Sequence, residues 1–159
     1  MRQIVTADVG GTHARFAIAN IEGCDVVGLE DVVTLKTGEH ASFQTAWEQF
    51  GNRIGRELPK ELAIAFAGPV GGELLKLTNN PWVIRPALIK PKLGVDRYTI
   101  VNDFGAVAHA VNVLGAGDFQ HVCGPEAPGQ PDQFARGECP DALDRDRGHA
   151  AERDRDGTG

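Results

Sequence analysis

Ile4 to Val9 is rich in β-branched residues and alternates loosely between apolar and polar positions, the pattern of a largely buried strand. Gly10-Gly11 then permits a tight reversal, and a period of two resumes over Ala14 to Ile21, which predicts a hairpin. Val26 to Leu35 carries two valine pairs and predicts a third strand, ending before the polar segment Lys36 to His40. From Ser42 the period lengthens: Phe43, Trp47 (beside Ala46), Phe50 and Ile54 recur at helical spacing, with Ser42 placed as N-cap. The apolar stripe of that helix is explained by packing on the sheet. Leu62 to Ala67 is a short, continuous apolar run that stops at Gly68-Pro69, as a central strand does. Helix followed by buried strand makes a crossover unit.

Beyond it, Glu73 to Leu77 predicts a strand and Thr78 to Trp82 an irregular loop. Pro86 suits the first turn of a brief helix reaching Leu93. Thr99 to Asn102 predicts another buried strand, and Gly105 to Leu114 a helix of small and apolar residues that Gly115 and Gly117 end. The predicted order is β-β-β-α-β, a variable insert, then β-α. From Asp132 the pattern dissolves: Asp and Arg are nearly equal in number, and Phe134 and Leu143 are the large apolar side chains. Such a segment buries too little to offset its ordering entropy, so disorder is expected over 132–159. Its composition is also that of a shifted reading frame in GC-rich DNA, with an evolved acidic-basic tail as the alternative.

The chain has 159 residues, the size of one ordinary domain, and its 42% hydrophobic content suffices for a core. A formal net charge of −6 with no basic patch argues against nucleic acid. No apolar run is long enough for a membrane span, and the start lacks the features of a signal peptide, so a cytoplasmic protein is expected. Cys24, Cys123 and Cys139 are too scattered for a disulfide framework or a zinc knuckle. Of the five histidines, His13 is the one near candidate chemistry, and it reads as a turn-flanking residue.

That chemistry sits at two strand tips. Asp8 ends the first strand, where it offers a hard oxygen to Mg²⁺, directly or through water. Gly10 and Gly11 leave backbone N–H groups open, and Thr12 adds a hydroxyl, so the turn can donate to phosphate oxygens. Arg15, on the returning strand, can face the same cleft. The competing reading is a glycine pair that merely reverses the chain. At the second tip, Asp103 is placed to accept a proton from a substrate hydroxyl, and Asn102 beside it to orient that substrate. The same pair would equally cap the following helix.

Four segments in order, DVGGTHAR (Asp8 to Arg15), AIAFAGPV (Ala63 to Val70), LTNNPW (Leu77 to Trp82) and VNDFGAVAHA (Val101 to Ala110), resemble successive motifs of the bacterial glucokinases, within the hexokinase, Hsp70 and actin-like ATPase superfamily. The resemblance covers about residues 3–129. It implies an α/β fold, the actin-like (ribonuclease H-like) small lobe with a mixed sheet in β-β-β-α-β-α order, over residues 1–115. The start of a larger lobe, or hinge, falls at 116–131, and the tail at 132–159. It further implies transfer of phosphate from ATP, with Mg²⁺, to the 6-hydroxyl of glucose. Ala7, Asp8, Val9, Gly10, Gly11, Thr12 and Arg15 then serve ATP, Asp103 is the base, and Asn102, Asp103 and Asn79 meet the sugar. A homodimer is implied for the full-length protein.

The family continues into a larger lobe with a second glycine-rich phosphate loop, which would begin near DQFARGECPD and is not recognisable there. This chain alone is therefore expected to be inactive. A non-catalytic sugar- or nucleotide-binding relative, or a truncation product without function, is the alternative. A DNA-binding repressor of the same superfamily is disfavoured, because a basic segment would precede the glycine turn.

Overall fold

The computed structural model describes residues 1–118 and 120. The expected tail at 132–159, Cys123 and Cys139 lie outside the described residues. Strands β1 (Arg2–Val9), β2 (His13–Glu22) and β3 (Asp25–Lys36) form an antiparallel meander, followed by helix α1 (Phe43–Ile54) and strand β4 (Glu61–Phe66). A small hairpin of β5 (Leu75–Lys76) and β6 (Val83–Ile84) leads through a 3₁₀ turn at Pro86–Leu88 to helix α2 (Ile89–Leu93). Strand β7 (Arg97–Asn102) and helix α3 (Asp103–Val111) complete the regular elements before a last 3₁₀ turn at Ala116–Asp118. The main sheet runs β3-β2-β1-β4-β7, with β1, β4 and β7 mutually parallel. It is therefore a mixed sheet, as expected.

Strand alternation decides which face is core. Val5, Ala7 and Val9 of β1 lie beside Ile18, Phe16 and Ala14 of β2 and Leu62, Ile64 and Phe66 of β4, and all nine are buried. Helix α1 covers this face with Phe43, Ala46, Trp47 and Phe50. Phe16 stacks between two of those rings, 5.7 Å from Phe43 and 5.2 Å from Phe50 between centroids. Ser42 caps α1 through a reciprocal box with Thr45, and Gly55 ends the helix at φ 67°, a conformation in which a Cβ is strained.

Three expectations change. β7 is not a fully buried strand: all six residues are half-buried, because it forms the edge of the described sheet. The helix after it begins at Asp103 and stops at Val111, before Gly115 and Gly117, with Asn112 as its C-cap. The segment 78–82 is indeed irregular, but Val83–Ile84 returns as a strand of two residues beside Leu75–Lys76. A run that short carries no periodicity.

Candidate functional site at the carboxyl edge of the sheet

Parallel strands deliver their carboxyl ends to one edge, the usual place for ligands in α/β sheets. Val9, Phe66 and Asn102 are in register across β1, β4 and β7, so the tips carrying Asp8 and Asp103 share that edge. Two interstrand spacings separate the outer tips, roughly 10 Å. The connection after β4 bridges them. Ala67 N–H donates to the Val9 carbonyl at 3.0 Å, and Asn102 Nδ2 donates to the Gly68 carbonyl at 2.9 Å. Gly68 has no room for a side chain, since a Cβ would lie 2.9 Å from Phe66 Cε1 and 3.1 Å from the Lys76 carbonyl oxygen.

The turn Gly10–Thr12 is held from its inner side. Gly11 O accepts from Thr37 Oγ1 at 2.7 Å and from Asn80 Nδ2 at 3.1 Å, and Thr12 O accepts from Thr37 N–H at 3.0 Å. In a trans peptide the carbonyl and the next N–H point opposite ways. With the Gly11 carbonyl tied inward, Thr12 N–H faces outward. Gly10 N–H is not available as expected, because it closes the turn onto His13 O at 2.9 Å. Gly11 N–H and Thr12 N–H have no partner among the described residues.

Neither glycine is demanded by the chain reversal. Gly10 and Gly11 are absent from the positive-φ residues, and a Cβ on Gly11 would meet only Asn79 Cβ at 3.7 Å, an ordinary contact. A Cβ on Gly10 would lie 3.4 Å from His13 O. The missing side chains thus leave the outer surface of the turn bare, which is what a close-approaching phosphate needs.

Asp8 and Arg15 are cross-strand partners on the face opposite the core, with Arg15 NH1 2.8 Å from Asp8 Oδ2. Both side chains are about half exposed, 49% for Asp8 and 57% for Arg15, so the pair is solvated and exchangeable. Ala7 and Val9 are buried on the other face, so only their backbone reaches this edge. Thr12 is exposed, its hydroxyl 3.1 Å from His13 Nδ1. No group of three or more His, Cys, Asp or Glu that could enclose a metal exists among the described residues. A single carboxylate beside open N–H groups fits Mg²⁺ brought with phosphates and water, the ordinary mode for that ion. The Asp8 carboxylate would hold it, and the ion would neutralise phosphate charge.

At the other tip, Asn102 caps α3: its Oδ1 accepts Phe104 N–H at 3.1 Å. Asp103 Oδ1 shares that N–H at 3.0 Å, and Asp103 Oδ2 is uncommitted among the described residues. Capping and proton acceptance are thus compatible in one residue pair. Asn79 is exposed against Gly11, within the same loop as Asn80. Sequence reasoning passed over Thr37 and Asn80, which hold the turn. Asn80 stands in a loop-forming Asn-Asn-Pro run, a signal of a turn but not of its target. Buried Trp82 fixes that loop, with N–H to Asn80 Oδ1 at 2.9 Å and Nε1 to His40 O at 2.8 Å.

The mixed sheet is that of the actin-like sugar kinases. A solved glucokinase from an Antarctic psychrotroph superposes with a TM-score of 0.66 at 28% identity, over 74% of this chain and 37% of that one. A ROK family glucokinase from Streptomyces griseus, solved with glucose and AMPPNP, shares the fold at a TM-score of 0.52 and 20% identity, over 72% of this chain and 38% of that one. The glucokinase family model matches residues 5–135. Zymomonas mobilis glucokinase is 56% identical over 124 residues, 78% of this chain and 38% of that protein. Saccharophagus degradans glucokinase is 36% identical over 122 residues, 77% of this chain and 38% of that protein. The chain belongs to the glucokinase family, and it spans about 38% of the length of these curated relatives.

Proposed function

We propose that this chain is the lobe of a glucokinase that carries the phosphate turn and the catalytic carboxylate, and that the complete enzyme transfers the γ-phosphoryl group of ATP to the 6-hydroxyl of glucose. Residues 1–115 form that lobe. The observation that carries the reading is the bare outer face of the Gly10–Thr12 turn, with two N–H groups beside Asp8 that are unpaired among the described residues. Those donors hold phosphate oxygens, Asp8 holds Mg²⁺ directly or through water, and Arg15 shifts between Asp8 and phosphate. Asn79 and Asn102 orient the sugar. The sugar oxygen bonds to phosphorus as the bond to ADP breaks, and Asp103 takes the proton of that hydroxyl.

Phosphoryl transfer requires both substrates to be held in line and shielded from water, which one open lobe does not do. Helix α3 supports this. It buries none of its residues, and Phe104 is 81% and Val107 61% exposed, an apolar face suited to a second lobe. The purified chain should therefore bind MgATP weakly and form no glucose 6-phosphate. A coupled assay that detects product, and loses it on Asp103→Asn, would overturn the expected inactivity while keeping the base. The complete protein acts as a cytoplasmic enzyme, possessing glucose as partner and a homodimeric assembly. Among the described residues no helix is long and apolar enough to cross a membrane.

A further inference from the structure

A cavity of about 400 Å³ lies between the first turn of α1, the β5–β6 hairpin and α2. None of its lining residues belongs to the carboxyl-edge site. Its floor is apolar: Phe43, Ile84 and Ile89 are buried there, with Leu93 half-buried beside them. Its charged lining is of one sign. Lys76, Arg85 and Lys92 all line it, no acidic residue does, and the chain as a whole is at −6. All three cations are exposed, and none has a side-chain ion pair or side-chain hydrogen bond among the described residues. Elsewhere, cations such as Arg15, Arg56 and Lys60 do find carboxylates.

We propose that this cavity binds a small organic anion, a carboxylate or phosphate ester with an apolar body. The volume lies within the range of small-molecule pockets. The apolar body takes the Phe43, Ile84 and Ile89 floor, and the anionic head meets Lys76, Arg85 and Lys92. Long cationic side chains hold their charge at the rim while their stems extend the apolar wall. An apolar ligand without charge would leave the three cations unanswered, and a bare anion would leave the floor wet.

The test is a titration of the full chain with 2-naphthoate, read by amide chemical shifts, with 2-naphthylmethanol as the uncharged analogue and inorganic phosphate as the bare anion. A carboxylate probe keeps the experiment separate from the phosphate turn. The expected result is shifts confined to the first turn of α1, residues 74–76, 83–85 and 88–93, with naphthoate binding tighter than either control. Its affinity should fall as salt rises from about 50 to about 500 mM. Replacing all three cations (Lys76→Gln, Arg85→Gln, Lys92→Gln) should weaken it by about tenfold. These side chains are exposed, and retained shift dispersion shows that the variant is folded. Equal binding of the alcohol, salt-independent binding, or shifts centred on Gly10–Thr12 would each overturn the proposal.

Discussion

A methyl group on Gly68 would press on the buried Phe66 ring and the Lys76 carbonyl at 2.9 and 3.1 Å, whereas one on Gly11 would touch only Asn79 Cβ at 3.7 Å. The two glycines therefore answer different needs, and substitution separates them. Gly68→Ala should destabilise by about 1–3 kcal/mol, as overpacking does, seen as a lowered denaturation midpoint. Gly11→Ala should leave stability unchanged or raise it by up to about 1 kcal/mol, since its φ lies outside the left-handed region. The same methyl would stand where phosphate approaches, so MgATP binding should weaken even as the midpoint holds. Thr37 is buried at 1% exposure and answers the Gly11 carbonyl, so Thr37→Val should cost about 1–3 kcal/mol and loosen the turn, visible as faster exchange of the amides at positions 10 and 37, which bond to His13 O and Thr12 O. At this scale sequence carried half the information. Asp8, Gly11 and Asp103 announced themselves by type and by position at a strand end. Thr37 and Asn80 did not, because what they hold lies 26 and 69 residues away along the chain.

Among the elements, α1 was legible from its period and its Ser42 cap, and both rest on local physics. Ser42→Ala removes the side-chain half of the capping box and should cost about 1 kcal/mol. Phe50→Ala removes a ring stacked on Phe16 and should cost about 3–5 kcal/mol, a large share of a small domain's stability. Strands β1 and β2 were equally readable, because alternation survives where one face is buried, whereas β3 was read from its two valine pairs although it buries Leu35 alone. β7 was read as buried because a β-branched run such as Thr99-Ile100-Val101 looks the same whether the strand is central or at an edge. Neighbour count is a tertiary fact. The end of α3 was misplaced for a related reason: glycines at 115 and 117 mark a stop, but the helix unwinds at Asn112, and Phe104 and Val107 lack partners among the described residues. Hydrogen exchange should rank α3 well below β1 and β4 in protection.

For the whole molecule, the sheet brings two strand tips to one edge, and the first tip offers bare N–H groups beside a solvated carboxylate. The account makes that turn a nucleotide phosphate site even in the isolated chain, with catalysis absent until a second lobe closes over it. The most direct measurement is an amide-shift titration of the purified chain with MgATP, run alongside the Gly11→Ala variant. The account predicts saturable shifts centred on Asp8 to Thr12, weakened in the variant while its unfolding midpoint is kept. Shifts that avoid this turn, or a variant that binds MgATP as well as the parent, would contradict it.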